Sequence, residues 1–182
     1  MPTRPRSTVH RHRTFWLGVL VIATLALPAL LSTSRLLPGK GAATLIFSPP
    51  PKDLALGQVA DIDLRLSSPR QAVNAVQAVI EVDPHQIELL GMTTQQSFCS
   101  FYAENTFDKI KGEVRLACGT PHPGFQGDST VVSLRLRTKV VGTSQLTLRR
   151  SQSSVLADDG KGTNLLEPSS LSTLILTTHA SL

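Results

Sequence analysis

Five histidines, two cysteines and 13 Asp and Glu are the side chains of this 182-residue chain from which a reactive or metal-binding centre would have to be built. His10 and His12 stand among arginines, His85 follows Pro84, His122 lies between two prolines and His179 is close to the C-terminus. None belongs to an HExxH pair, no GxSxG elbow presents a serine, and no P-loop is there to cradle phosphate. These histidines are expected in solvated loops. Two carboxylates across a cleft can hydrolyse glycosides, but Asp61, Asp63, Glu81 and Glu113 alternate with apolar residues among basic neighbours, the pattern of a wet sheet face. The run Asp158-Asp159-Gly160-Lys161-Gly162-Thr163-Asn164 resembles part of a calcium loop without the EF-hand spacing or its closing Glu. A polar turn is expected there, with calcium as the lesser alternative. No catalytic residue, metal-ligand set or cofactor is therefore assigned, and the chain is read as a non-enzyme.

Cys99 and Cys118 have 18 residues between them. Zinc would need a third and a fourth ligand at suitable spacing, and a redox pair would normally be CxxC. What remains is one disulfide or two buried thiols, because Cys118 shares the parity of Val114 and Leu116. An even count in an exported body favours the bridge, which would contribute about 3 kcal/mol by loop closure.

Export is suggested by the N-terminus. Residues 1–40 contain Arg4, Arg6, Arg11, Arg13, Arg35 and Lys40 and no acid, so they carry +6, and the rest holds 12 basic against 13 acidic residues. The basic pI thus belongs to the N-terminus, which removes most of the support for a nucleic-acid partner. Thr14 to Ser34 is a run of 21 residues without a charge. Such a helix matches a hydrocarbon core of about 30 Å, and the arginines before it place the N-terminus in the cytoplasm. The expected organisation is a basic tail (1–13), a single-pass signal anchor or a cleaved signal peptide (14–34), a linker (35–41) and a body (42–182). The body then lies outside a bacterial cell membrane, or is secreted if Ser32-Thr33-Ser34 is a cleavage site.

The elements that must position any site in the body are strands. Ile62, Leu64 and Leu66 alternate with Asp61, Asp63 and Arg65, and Val76, Ala78, Ile80 and Val82 do the same around Gln77 and Glu81. Alternation recurs at Val114 to Cys118, Val132 to Leu136 and Leu146 to Leu148. Shorter candidates are Thr44 to Phe47, Ile87 to Met92, Ser154 to Ala157 and Leu171 to Thr177, giving about nine strands and predicting an all-β sandwich. Ser67-Ser68-Pro69 and five further Gly- or Pro-containing clusters are expected to separate them, and Asp83 to Gln86 can form one helical turn.

Three segments carry a resemblance. Val79-Ile80-Glu81-Val82-Asp83-Pro84-His85-Gln86-Ile87-Glu88-Leu89-Leu90, Gly127 to Leu136, and Val155-Leu156-Ala157-Asp158-Asp159-Gly160 together resemble the cohesin domain, over about residues 42–177. The resemblance implies a nine-stranded jelly-roll sandwich and non-catalytic docking of a protein partner, a dockerin or another surface protein, in a surface or polysaccharide-degrading assembly. It implies a partner face on the Asn74–Val82 strand, whose outward positions are Ala75, Gln77, Val79 and Glu81; Ala75 departs from the polar contact expected there, and the cysteine pair is not a general family feature. The contact residues expected are Gln77, Val79, Glu81 and Arg115.

Direct binding of polysaccharide is the alternative. The only Trp is Trp16, so an aromatic platform would have to come from Phe98, Phe101, Tyr102 and Phe107, which core packing beside the cysteines explains more simply. Arg135, Arg137 and Arg149 are a further expectation, a basic stripe facing an acidic polymer.

Overall fold

The computed structural model describes residues 43–48, 53–167 and 173–180. The basic tail, the uncharged 14–34 run and the linker lie outside the described residues. Among the described residues no helix is long and apolar enough to cross a membrane.

Among the described residues ten strands follow one another: β1 (Thr44–Phe47), β2 (Leu54–Ala55), β3 (Val59–Val82), β4 (Ile87–Thr93), β5 (Phe101–Asp108), β6 (Glu113–Gly119), β7 (Phe125–Thr138), β8 (Gly142–Leu148), β9 (Ser154–Ala157) and β10 (Thr173–His179), with a 3-10 turn at Arg150–Gln152 between β8 and β9. Two of them, β2 and β5, are absent from the nine predicted, and two predicted strands are halves of β3. The first half of β3 pairs with β1 on one side and β7 on the other, and β7 continues to β4. Its second half pairs with β6, which continues to β5, and on the other side with β9 and β8, which leads to β10 and the parallel stub β2. The two halves belong to the two layers of a jelly-roll sandwich.

Ser67-Ser68-Pro69 is expected to end a strand, yet β3 passes through it. The ladder to β7 shifts register between Ser68 and Val73, so Pro69 sits at a bulged corner where its missing N–H breaks no ladder bond. The corner is tied by its own polar groups: the Ser68 hydroxyl donates to the Gln71 carbonyl at 2.7 Å, and the Gln126 amide donates to the Pro69 carbonyl at 2.8 Å.

Alternation places the core. Ile62, Leu64 and Leu66 of β3 meet Val132, Leu134 and Leu136 of β7, and across the sandwich Val76, Ala78 and Ile80 meet Val114, Leu116, Leu146 and Leu148, all buried. Each of the Val, Leu and Ile side chains among them contributes about 1.5–3 kcal/mol of burial free energy. Asp83 to Gln86 closes a single turn, with both Gln86 and Ile87 N–H donating to the Asp83 carbonyl.

Cys99 and Cys118 are bridged, with their Cα atoms 5.8 Å apart. Of the aromatic cluster beside them, Phe98 stacks on Phe125 with centroids 4.6 Å apart, and Phe98, Tyr102 and Phe107 pack against the core. Only Phe101 of the four is exposed, at 54%. The phenol oxygen of Tyr102 is buried without a protein hydrogen-bond partner among the described residues. Tyr102→Phe removes an unpaired polar group, so it is expected to leave stability unchanged or raise it by up to about 1 kcal/mol in a denaturant titration.

Candidate functional site

The outer face of the layer built on the second half of β3 can be read row by row from its register. Leu156, Ala75, Gly119 and Phe101 form one row across β9, β3, β6 and β5. Ser154, Gln77, Ala117 and Glu104 form the next. Val79, Arg115 and Thr106 follow, and the last row is Thr147, Glu81, Glu113 and Asp108.

The first two rows make a shallow apolar shelf. Ala75, Ala117, Ala103, Phe101 and Leu156 line a depression of about 160 Å³ with Gln77 at its border. Small side chains leave the sheet surface low there. Gly119 seats the Phe101 ring at its edge: a Cβ on it would stand 2.5 Å from that ring and 2.8 Å from the Asn74 carbonyl, so its absence lets the ring lie across β6. The Gln77 carboxamide has no partner among the described residues and is exposed.

The other two rows are held by charge. Arg115 donates from Nε to Glu104 at 2.8 Å and lies 3.6 Å from Glu113. The Glu104 hydrogen bond and charge hold the Arg115 pKa above its ordinary value. Glu81 and Glu113 are direct cross-strand neighbours, a like-charge pairing that destabilises a sheet unless a cation intervenes. Arg149 supplies it, bonded to Glu81 and 4.0 Å from Glu113. Three carboxylates and two guanidiniums leave this network at −1.

Of the four expected contact residues, Gln77, Glu81 and Arg115 lie on this face with the outward parity assigned to them. Val79 is not at the surface. Its parity is outward, but it is only 1% exposed, because the chain between β8 and β9 leaves the ladder as a 3-10 turn beside it. That turn is stitched to Val79 by the Arg149 N–H to its carbonyl at 2.7 Å and by its own N–H to the Ser153 hydroxyl at 3.2 Å. Glu104, Glu113 and Arg149 share the charged border with Glu81 and Arg115, although none of the three is among the expected contact residues. The signal for them is the charge order along β6 and the end of β8, which needs the strand pairing to be interpreted. The expected basic stripe is divided: Arg135 and Arg137 are on β7 in the opposite layer, away from Arg149.

The remaining chemistry is at the surface. His122 Nδ1 is 2.8 Å from Asp158 and 85% of its side chain is exposed, and His179 is 3.1 Å from Asp53. In the Asp158–Asn164 turn, the Thr163 hydroxyl and the Lys161 N–H both donate to Asp159, which lowers its pKa, the Thr163 bond first. Among the described residues no group of three or more His, Cys, Asp or Glu is placed to hold a metal.

No protein-family model matches the chain, and no curated protein matches it either. Solved structures do. A cohesin module from a family 33 glycoside hydrolase of Clostridium perfringens superposes with a TM-score of 0.58 at 19% identity, covering 78% of this chain and 98% of that one. The body has the cohesin fold. A type I cohesin–dockerin complex from Clostridium thermocellum gives a TM-score of 0.64 at 12% identity, covering 78% of this chain and 96% of the other. The seventh ScaB type I cohesin of Pseudobacteroides cellulosolvens gives 0.63 at 11% identity, with 78% and 94% covered. The body is a divergent example of this fold, since these likenesses hold at 11–19% identity.

Proposed function

We propose that this chain is a cohesin-like, non-catalytic docking module that binds a protein partner on the face formed by β9, the second half of β3, β6 and β5. The observation that carries this reading is the apolar shelf of Ala75, Ala117 and Phe101 beside a charged border, the anatomy of an interface with an apolar centre and a polar rim. A partner of dockerin type is the first candidate, because chains of this fold include members of type I cohesin–dockerin complexes. The partner would seat an apolar anchor on the shelf and a basic group against the Glu81, Glu104 and Glu113 border. The uncharged 14–34 run behind four arginines supports a membrane tether with the body outside, and the likeness to a module of a glycoside hydrolase supports work in a polysaccharide-degrading assembly.

Calorimetry of the full-length chain against a panel of dockerin modules tests the partner. Ala117→Arg sets a long charged side chain on the shelf without entering the core, and it is expected to weaken binding roughly 30-fold or more. A panel in which no dockerin binds, or binding that Ala117→Arg leaves unchanged, would remove this reading. Protease accessibility of the body in intact cells tests the tether.

A further inference from the structure

The opposite layer carries a second feature, which docking on the first face does not use. On its outer surface Asp61 of β3, Arg135 of β7 and Gly91 of β4 form one cross-strand row, and Asp63, Ser133 and Thr93 form the next. Together with Gln95 and Gln96 from the segment after β4 and the flank of Met92, they line a cleft of about 440 Å³, within the size range of small-ligand sites.

Three observations distinguish this cleft from an ordinary wet sheet face. Asp61 and Arg135 are direct cross-strand neighbours of opposite charge, yet among the described residues neither side chain makes a hydrogen bond or an ion pair. Their acceptors and donors are left available to something else. Asp63, by contrast, is held in place: its Oδ1 accepts from the Ser133 hydroxyl at 2.5 Å and its N–H donates to the Ser48 hydroxyl at 2.9 Å. The third observation is Gly91, whose φ is not positive and whose missing Cβ would meet nothing within 4 Å. Neither backbone conformation nor crowding calls for glycine there, and what its small size does is keep the floor of the cleft open.

The lining selects the ligand chemistry. Two carboxylates repel a phosphate or another polyanion, and the guanidinium between the strands repels a cation. What satisfies carboxylates, a guanidinium, two carboxamides and two hydroxyls together is a neutral molecule that both donates and accepts at many points. The geometry points to a second binding site here, for a neutral, hydroxyl-rich ligand: a short stretch of uncharged polysaccharide. Among the described residues no aromatic ring lines the cleft, so affinity rests on hydrogen bonds and is in the range of about 1 mM.

The test uses the full-length chain and four probes: cellohexaose, xylohexaose and mannohexaose as neutral ligands and hexagalacturonate as the acidic one. Calorimetry is expected to show at least one neutral hexasaccharide bound near the millimolar range and hexagalacturonate bound more weakly. Gly91→Leu fills the floor, and the double variant Asp61→Ala with Arg135→Ala removes the free groups; each is expected to weaken binding about tenfold or more, the double variant by loss of charge-assisted hydrogen bonds. If Gly91→Leu perturbs folding, the exposed double variant carries the test alone. Ala117→Arg on the other face is expected to leave saccharide binding unchanged, which separates this proposal from the docking reading. Absence of binding by all three neutral probes at about ten times that concentration, tighter binding of hexagalacturonate, or binding untouched by the double variant would overturn it.

Discussion

Replacing Gly112 with alanine is expected to destabilise the body by about 3 kcal/mol. Gly112 closes the β5–β6 hairpin with φ of +68°, and its carbonyl accepts the Val82 N–H at 2.8 Å. A left-handed backbone costs a residue with a Cβ about 1–2 kcal/mol. The Cβ itself would stand 2.1 Å from the Val82 carbonyl oxygen and 3.1 Å from Pro84. Backbone cannot rotate aside as a side chain can, so the end of β3 must shift, and overpacking of this kind adds about 1–3 kcal/mol. Thermal unfolding followed by circular dichroism is expected to move down by about 10 °C. A shift of only a degree or two would mean that the turn relaxes away from β3 at little cost.

Loss of the Cys99–Cys118 bridge is expected to have an effect of similar size by a different route. The two residues are 19 apart in sequence, and opening a loop of that length returns about 3 kcal/mol of chain entropy to the unfolded state. Both sulfurs are largely buried, so Cys99→Ala with Cys118→Ala also removes packed atoms at the edge of the core. Denaturant midpoints should therefore fall on reduction of the native chain, and fall at least as far in the double variant. Equal midpoints with and without reductant would show that the bridge does not constrain the unfolded chain. The bridge joins the segment before β5 to β6, so the apolar shelf is expected to loosen with it, and partner binding and stability should decline together under reduction.

Alternation makes most of the sandwich legible in the residues themselves, because a strand half-buried against a core must repeat with period two. Thr44–Phe47 and Ser154–Ala157 begin and end where the pattern puts them. β5 escapes it because this is an edge strand with no fully buried residue: Phe101, Glu104, Asn105 and Thr106 give no inward stripe for a periodicity to find. Pro69 hides the continuity of β3, since a proline signals an end unless a bulge lies beneath it. Parity puts Gln77, Glu81 and Arg115 correctly on one face and misleads at Val79. Which strands neighbour β3, and that a turn folds in beside it, are properties of long-range pairing that no local pattern of residues encodes.

That single 24-residue strand has a mechanical meaning. A sandwich assembled from two separate plates can slip along the plane between them, or lose one plate while the other persists. Here both plates are sewn with the same thread, which turns the corner at Pro69. Pulling either one out of register drags the other with it, so the body should yield to force or heat in one abrupt step rather than by delamination.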